Sequence, residues 1–304
     1  MIVFVAPGQG SQTPGFLEPW LADPEARELL TSWSEAIGVD LVAHGMTSDA
    51  DTIRDTAVAQ PLIVAAGLLT ARALRAAGAE IGAVAGHSVG EITAAAVAGV
   101  LSEADALAFV RTRALAMKDA AAAVPTGMSA VLGGDLDALV GHVTALGLEA
   151  ANYNGGGQVV VAGELDALAK LAEEPLRGTR VVPLQVAGAF HTRFMAPARD
   201  VLRASASSFT PADPSITLWT NKDGSVVTSG AEYLELLVGQ VANPVRWDLD
   251  MEAFASAGVT GLVEFAPAGA LVGLAKRGLK GVPAVGIKTP DDIAAALELI
   301  GSGA

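Results

Sequence analysis

Residues 81–97 read IGAVAGHSVGEITAAAV, an apolar segment interrupted by a glycine-rich turn. Ala83–Gly86 has the pattern of a buried strand and Val89–Val100 that of a helix. Between them lies Gly86-His87-Ser88-Val89-Gly90, a G-x-S-x-G motif. Such a serine lies on a strained strand-to-helix turn, where flanking glycines leave room for the backbone. The stretch therefore predicts an α/β fold with Ser88 as a nucleophile, although a plain glycine- and serine-rich turn produces the same letters by chance.

The composition sets limits on the class of protein. The chain has 304 residues, 51% of them hydrophobic and 17% charged, which supplies a sizeable core and excludes global disorder. Its 19 Lys and Arg residues against 33 Asp and Glu give a net charge of −14, which argues against nucleic acid as the main ligand. The absence of cysteine excludes disulfides, thiolate metal sites and a cysteine nucleophile.

Short β-branched runs alternate with longer alanine- and leucine-rich helical patterns along most of the chain. This alternation predicts an α/β sheet with helices on its faces. The predicted strands of this body are Ile2–Ala6, Ala83–Gly86, Ile216–Thr220, Leu262–Phe265 and Ala284–Ile287. The predicted helices are Ala57–Ala77, Val89–Val100, Glu103–Ala123, Ala231–Val241, Met251–Ala257 and Asp291–Ile300.

The pattern changes between Pro125 and about Gly188. The order of elements there is β-α-β-β-α-β, which is typical of a ferredoxin-like unit. We therefore predict a ferredoxin-like subdomain over residues 125–188, inserted into a main body made of residues 1–124 and 189–304. A cleft between two such lobes is a natural ligand site. The predicted elements are Met128–Leu132, Asp135–Leu146, Leu148–Tyr153, Gln158–Ala162, Leu165–Leu176 and Thr179–Val186.

The chain shows no sequence pattern for targeting or membrane insertion. The N-terminus carries no basic region and becomes glycine-rich after five apolar residues, so it reads as a strand. Ile81–Leu101 is the most membrane-like stretch, but His87, Ser88 and Glu91 stand in its middle, where burial in lipid is costly. We expect a soluble cytoplasmic protein with no membrane contact.

A serine requires a base to become a nucleophile near neutral pH, and the chain has four histidines. His87 is adjacent to Ser88, so their side chains should diverge. His44 precedes a glycine in a predicted loop, and His142 lies on a polar-flanked helix, so both fit ordinary surface positions. His191 follows the inserted unit, where the chain re-enters the main body at the cleft. Elimination makes His191 the best candidate without settling its role.

Arg113 lies on the apolar side of its predicted helix. At roughly 100° per residue it falls between Phe109 and Met117, whereas Arg111 falls outside that arc. A buried guanidinium needs an anionic partner because it cannot lose its charge. The partner is either the carboxylate of a ligand, gripped by the planar fork, or an internal Asp or Glu; a position at the rim is a third alternative.

Two further segments are open to more than one interpretation. Pro7–Gly15 is glycine-rich, but it fits neither phosphate-loop pattern, so close approach of the backbone to an oxyanion explains its glycines better. Lys276-Arg277-Gly278-Leu279-Lys280 is the densest basic cluster. It is either a solvated helix end or a docking site for an acidic partner or for the phosphates of a ligand.

Taken together, these residues carry a resemblance over essentially the whole chain. The sequence resembles the malonyl-CoA:acyl-carrier-protein transacylases and the acyltransferase domains of fatty-acid and polyketide synthases. The resemblance implies an α/β-hydrolase-like body with a ferredoxin-like subdomain. The segments that carry it are Pro7–Gln12, Gly86–Glu91, Arg113 with Met117, Asn154–Val161, Phe190–Thr192 with Met195, Gln240 with Asn243–Trp247, and Glu264–Gly269.

The resemblance also implies a role for individual residues. Ser88 would be the acyl nucleophile and His191 the general base and acid, with Gln240 orienting the imidazole through a carbonyl oxygen. Arg113 would bind the free carboxylate of malonate. The amides of Gln9 and Val89 would form the oxyanion hole, and the further substrate-binding residues would be Phe190, Met117 and Asn154.

The implied function is transfer of a malonyl group from malonyl-CoA to the phosphopantetheine thiol of acyl carrier protein, through a malonyl-serine. We expect a monomer that requires no metal and no cofactor. Phe190 and Val89 resemble the malonyl-selective pattern, in which the phenyl ring would crowd an α-methyl group. Two alternatives remain open from the sequence: a thioesterase on the same scaffold, and a carrier-binding module without catalytic activity.

Overall fold

The computed structural model describes residues 1–302 and contains two separate β-sheets. Within that range the chain forms nine strands. They are β1 (Ile2–Ala6), β2 (Ala83–Gly86), β3 (Thr126–Gly133), β4 (Glu149–Gly155), β5 (Gln158–Glu164), β6 (Thr179–Pro183), β7 (Thr217–Leu218), β8 (Gly261–Glu264) and β9 (Ala284–Gly286).

Twelve α-helices connect and cover these strands within the described range. They are α1 (Pro24–Ile37), α2 (Leu41–Met46), α3 (Thr56–Ala76), α4 (Gly90–Val97), α5 (Glu103–Ala123), α6 (Leu136–Ala145), α7 (Leu165–Glu173), α8 (Ala196–Ala206), α9 (Gly230–Gln240), α10 (Trp247–Ser256), α11 (Ala270–Gly278) and α12 (Ile293–Ser302). Several begin at a capping side chain: Ser102 Oγ accepts from the Asp105 amide at 3.0 Å ahead of α5, and Asp55 caps α3 at 2.8 Å.

The first sheet is wholly parallel, in the order β7-β2-β1-β8-β9. Its central strands are almost continuously apolar because helices cover both faces. Two hydrophobic clusters flank it, one around Phe4 and Val84 and the other around Val3 and Ala83. Alternate residues of the same strands thus enter opposite clusters. The carboxyl ends of β1 and β2 lie side by side, with Ala6 opposite Gly86.

The second sheet is antiparallel, in the order β4-β5-β3-β6. One face packs beneath α6 and α7 in a small core of its own, which contains Val131, Leu139 and Leu171. The opposite face contributes Met128 and Val160 to the core of the parallel body. This sheet therefore forms one wall against the parallel sheet, and a site between the two receives residues from both.

Helix α3 is long and apolar enough to span a membrane by length and composition, but 83% of its most apolar window is buried inside the fold. It packs against α4 and α5. Pro61 lies within it and lacks the N–H that would bond to the Ala57 carbonyl. The guanidinium of Arg111 donates to that oxygen at 3.2 Å instead. The segment predicted to be most membrane-like, Ile81–Leu101, forms the elbow between β2 and α4.

The predicted alternation of strands and helices is confirmed as a mixed α/β fold with one parallel and one antiparallel sheet. β1, β2 and α5 have the predicted bounds. The strand predicted over Ile216–Thr220 is shorter, since only Thr217–Leu218 pairs with β2. Four helices were not predicted: α1, α2, α8 and α11.

Candidate active site

Ser88 lies on the turn between β2 and α4, with φ of 53°, in the left-handed region that residues other than glycine seldom adopt. The glycines on either side are required by contact. A Cβ on Gly86 would lie 2.2 Å from the Glu91 nitrogen, and one on Gly90 would lie 2.1 Å from the Ala6 oxygen. The turn therefore fits tightly against β1, and it holds Ser88 in its strained backbone conformation.

The structure places His191 against Ser88 from the opposite side of the cleft. Its Nε2 lies 2.7 Å from Ser88 Oγ, and its Nδ1 lies 2.9 Å from the main-chain oxygen of Gln240. His191 also has a left-handed backbone, with φ of 62°, and its amide donates to the Val241 oxygen at 3.0 Å. A carbonyl can only accept a hydrogen bond, so Nδ1 carries the proton and Nε2 faces the hydroxyl as an acceptor.

Burial and, as the second cause, the positive charge of Arg113 lower the pKa of His191 to about 3. Both causes disfavour the imidazolium, since burial removes hydration and a nearby cation repels a second one. The imidazole is therefore neutral across the physiological range. A neutral imidazole with an acceptor nitrogen 2.7 Å from a hydroxyl is arranged as a general base.

Arg113 of α5 is 1% exposed and stands directly behind the serine. Its Nη2 lies 3.3 Å from Ser88 Oγ and 2.7 Å from Gln240 Oε1, while Nη1 donates to Gln60 Oε1 at 2.7 Å. Among residues 1–302 it forms no ion pair with a carboxylate, so the internal Asp or Glu partner considered from the sequence does not occupy the fork. Burial lowers the pKa of Arg113 to about 9, which leaves it charged at neutral pH.

Gln240, at the end of α9, acts through two different groups. Its main-chain oxygen holds the imidazole, whereas its side-chain amide contacts Arg113, Ser88 and Glu91. The resemblance implied that a carbonyl of Gln240 orients the histidine, and the main-chain carbonyl is in that place. Its side chain is therefore free to position the guanidinium.

A cavity of about 470 Å³ opens above Ser88 and His191, between the two sheets. Gln9 and Val89 line it, and within residues 1–302 neither backbone N–H has an acceptor in the chain. Two such donors beside a reacting hydroxyl are suited to an oxyanion. The other predicted site residues that line the cavity are Met117, Asn154 and Phe190.

The remaining histidines have other partners. His87 Nε2 lies 2.9 Å from Asn154 Oδ1, and its ring packs edge-on against Trp247. Burial lowers the pKa of His87 as well. His44 contacts Ser48, and His142 contacts the Glu174 oxygen. The basic cluster Lys276–Lys280 fits both interpretations given from the sequence. Arg277 lines the cavity, as a ligand contact would, whereas Lys276 and Lys280 are exposed, as at a solvated helix end.

Sequence reasoning missed two residues of the site, Gln60 and Glu91. Gln60 is a buried amide in the otherwise apolar helix α3, and it accepts from Arg113. An isolated polar residue inside a long apolar run was a usable signal. Glu91 is 1% exposed and follows the serine motif directly, but no pattern in the sequence indicates that its carboxylate reaches Gln240.

A serine hydroxyl on a strand-to-helix elbow, with a neutral imidazole and two unpaired amides beside it, is the arrangement of enzymes that transfer acyl groups through serine. The comparisons with known proteins agree. A family model described as the acyl transferase domain matches residues 3–296, and the chain belongs to this family of acyltransferases. The resemblance stated from the sequence is confirmed.

Individual relatives match over nearly their whole length. The malonyl CoA-acyl carrier protein transacylase of Mycobacterium tuberculosis strain H37Rv is 52% identical over 297 residues, 96% of this chain and 98% of the relative. The crystal structure of MCAT from Mycobacterium tuberculosis matches with a TM-score of 0.93 at 51% identity, covering 99% of each chain. A solved complex of a type II PKS acyl-carrier protein with its malonyl-transacylase matches with a TM-score of 0.92 at 29% identity, covering 98% of this chain and 99% of that one.

The lowered pKa of His191 predicts how the reactivity of Ser88 depends on pH. The base is neutral above its pKa of about 3, so the rate at which an uncharged fluorophosphonate inactivates the protein should be flat between about pH 5 and 8. The measurement is the second-order rate constant across that range, with His191→Ala as the control that slows the reaction. An inflection near the ordinary histidine pKa would contradict the assignment of a buried, neutral base.

Proposed function

We propose that the protein transfers the malonyl group of malonyl-CoA to the phosphopantetheine thiol of acyl carrier protein, through a malonyl ester on Ser88. The observation that carries the proposal is the position of one hydroxyl between a base and a guanidinium. Ser88 Oγ lies 2.7 Å from His191 Nε2 and 3.3 Å from Arg113 Nη2. The base can activate the hydroxyl, and the guanidinium suits an acyl group that ends in a carboxylate.

In the first half-reaction, Ser88 Oγ attacks the thioester carbonyl while His191 Nε2 accepts the hydroxyl proton. The resulting oxyanion binds the amides of Gln9 and Val89. The C–S bond then breaks, and the imidazolium returns its proton to the departing CoA thiolate. The main-chain oxygen of Gln240 stabilises the transient imidazolium at Nδ1, 2.9 Å away, although burial disfavours that charge.

In the second half-reaction the carrier's thiol takes the place of the CoA thiol. His191 accepts its proton, sulfur attacks the ester carbonyl, and the C–O bond to Ser88 breaks with return of the proton to Oγ. The same groups thus act in reverse order. Because CoA leaves before the carrier's thiol reacts, the kinetics are ping-pong.

Arg113 is proposed to select the malonyl group. Its guanidinium is held by two neutral amide oxygens, those of Gln60 and Gln240, rather than by a carboxylate. Neutral acceptors compete less strongly with an incoming carboxylate than an ionised Asp or Glu would. Its Nε has no hydrogen-bond partner in the described chain, although it is buried, which leaves one further donor.

The walls of the cavity are proposed to restrict the acyl group further. Phe190 is 6% exposed and precedes His191, so its ring lines the cavity beside the base. Met117 borders the same space and touches Gln60 through its sulfur, 3.5 Å from Nε2. A substituent on the α-carbon of malonate would crowd against these side chains.

The proposed partners are malonyl-CoA and a phosphopantetheinylated acyl carrier protein. Arg277 lines the cavity, and the exposed Lys276 and Lys280 extend this basic cluster on the surface. The cluster supports contact with the acidic groups of a carrier or with CoA phosphates, despite the net charge of −14. We also propose that the protein acts as a monomer, because a single chain supplies the nucleophile, the base and the guanidinium. Its proposed location is the cytoplasm.

The finer description of the fold is likewise a proposal. Residues 125–188 are proposed to be a ferredoxin-like subdomain, which the order of β4-β5-β3-β6 and the two helices on one face support. Residues 1–124 and 189–302 are proposed to form an α/β-hydrolase-like body; residues 303–304, which the prediction also included, lie outside the described residues. The serine elbow supports that description. The order of the parallel sheet, β7-β2-β1-β8-β9, becomes 3-2-1-4-5 when its five strands are numbered along the chain, which is the doubly wound order of dinucleotide-binding sheets.

Transfer can be separated from hydrolysis in one assay. With malonyl-CoA and a purified carrier protein, we expect malonyl-carrier to form much faster than free malonate, as followed by mass spectrometry and release of CoA. Malonate released at a comparable rate would favour the thioesterase alternative. Ser88→Ala should acquire no malonyl mass, whereas Ser11→Ala, which removes another hydroxyl of the same cavity, should still be labelled. If the wild-type protein acquires no malonyl mass, the remaining interpretation is a carrier-binding module without catalytic activity.

Arg113→Met should reduce malonyl transfer far more than acetyl transfer. Loss of a desolvated charge pair costs about 2–4 kcal/mol, which corresponds to a decrease in kcat/KM of roughly 30- to 1,000-fold for malonyl-CoA. The measurement is kcat/KM for both thioesters with the same carrier. Equal losses would show that Arg113 does not recognise the carboxylate, and Arg111→Met serves as a matched control on the same helix.

Phe190→Ser should relax discrimination against methylmalonyl-CoA. Removing the ring opens space beside the reacting carbonyl, so the ratio of kcat/KM for methylmalonyl-CoA to that for malonyl-CoA should rise by roughly tenfold, the usual value of a methyl-sized difference in an apolar pocket. The two thioesters compete in one mixture, and the acylated products are counted. An unchanged ratio would remove the ring from the determinants of selectivity.

A further inference from the structure

Glu91 is a buried carboxylate for which the reaction just described has no use. It is 1% exposed and lies in the first turn of α4. Its Oε1 accepts from the Asn221 amide at 2.7 Å, and its Oε2 accepts from Gln240 Nε2. Burying a carboxylate is costly unless hydrogen bonds and an opposite charge compensate, so its presence beside the site calls for a physical reason.

The side-chain amide of Gln240 has two unlike ends, and the surroundings of each end differ. Nε2 faces two acceptors, Glu91 Oε2 and the main-chain oxygen of Ser88 at 2.9 Å. Oε1 faces the Nη2 donor of Arg113 at 2.7 Å. A flipped amide would place oxygen against two oxygens and an NH₂ group against a guanidinium. Only one orientation satisfies all of these contacts, and Glu91 is the strongest acceptor that enforces it.

We propose that Glu91 is a positioning residue for acyl selection: it locks the Gln240 amide, and the locked amide holds Arg113 beside Ser88. The inference rests on the proposed function, because it takes Arg113 as the group that binds the acyl carboxylate. It adds that the selectivity of the site depends on a residue that contacts neither substrate nor serine hydroxyl.

The intervening amide explains why the negative charge does not block the guanidinium. A direct Glu91–Arg113 ion pair would compete with the carboxylate of the acyl group for the same N–H donors. With Gln240 between them, Glu91 still stabilises the positive charge through space. In agreement with this, Glu91 opposes the lowering of the Arg113 pKa, and Arg113 opposes the rise in the pKa of Glu91, which burial takes to about 7.

Other groups face Glu91 from every neighbouring element. Tyr233 of α9 places Oη 3.4 Å from the main-chain oxygen of Glu91. Asp250 of α10 is fully buried, and burial, followed by the nearby charge of Glu91, raises its pKa well above the usual range. Asn221, after β7, supplies the amide named above. Of the groups that face the carboxylate, Arg113 supplies the compensating positive charge.

Glu91→Gln tests the proposal by replacing one of the two acceptor oxygens with an NH₂ donor. That donor must meet either the main-chain N–H of Asn221 or Gln240 Nε2, and the remaining oxygen carries no charge, so the lock on Gln240 is lost in one orientation and weakened in the other. We expect kcat/KM for malonyl transfer to fall about tenfold or more, and that for acetyl transfer to fall about threefold or less. In an Arg113→Met background the same substitution should leave the malonyl-to-acetyl ratio unchanged, because Glu91 acts through Arg113.

Glu264→Gln is a matched control. Glu264 is also a fully buried carboxylate, and it accepts from the amides of Leu271 and Val272 at the start of α11. It does not contact Gln240 or Arg113. Its substitution should lower thermal stability and reduce malonyl and acetyl transfer in parallel. A parallel loss in Glu91→Gln as well would assign Glu91 a purely structural role and overturn the proposal.

The pH dependence of the wild-type protein supplies a second test. The pKa of Glu91 is raised to about 7, so the carboxylate loses its charge as the pH falls through that value. The added proton then lies on an oxygen that faces a hydrogen-bond donor, which weakens that contact. The malonyl-to-acetyl ratio should therefore decrease from about pH 8.5 to about pH 6, and it should be flat in Glu91→Gln. A flat ratio in the wild type would overturn the inference. If Arg113→Met leaves the malonyl-to-acetyl ratio at its wild-type value, Arg113 does not recognise the acyl carboxylate. The proposed function is then wrong on this point, whatever the result for Glu91.

Discussion

The hydrogen bond between Ser88 Oγ and His191 Nε2 is the interaction on which the rest of the site depends. It joins residues 103 positions apart in the sequence, and both have left-handed backbones, with φ of 53° and 62°. Conformations of this kind cost on the order of 1–3 kcal/mol each and persist only where their surroundings determine them. Here the contact of Gly90 with Ala6 fixes one partner, and the contact of His191 with Val241 fixes the other. The packing of the whole body thus places two reactive atoms within hydrogen-bonding distance.

Electrostatics and packing act on the same few residues. Burial keeps the imidazole of His191 neutral, and the cation of Arg113 strengthens that effect. The same burial makes the guanidinium dependent on nearby oxygens, which Gln60 and Gln240 provide. Gln240 therefore holds both groups: its main-chain oxygen contacts the imidazole of His191, and its side chain contacts the guanidinium of Arg113. A substitution of Gln240 removes the side-chain contact with Arg113, whereas the main chain keeps an oxygen for His191.

Much of the fold followed from the sequence because its strands are short and apolar and its two longest helices, α3 and α5, are long runs rich in alanine and leucine. β1, β2 and α5 have the predicted bounds, because each is an apolar segment that packs against neighbouring elements. The amphipathic helix α1 was missed although Asp23 caps it, and α11 was missed although it begins at Ala270, directly after the motif Glu264–Gly269. Strand β7 is shorter than predicted because only two of its residues pair with β2.

The serine elbow and the apolar side of the helix that carries Arg113 could be predicted from the sequence, because glycine spacing and helical periodicity are local properties. The family followed from the resemblance of several motifs along the chain. Elimination among the four histidines also predicted His191 as the candidate base. The folded chain was needed to show which oxygen of Gln240 holds the imidazole, that Gln60 also binds the guanidinium, and that the carboxylate of Glu91 ends the network. These contacts join residues between 49 and 149 positions apart, and no local pattern encodes the direction in which a buried amide points.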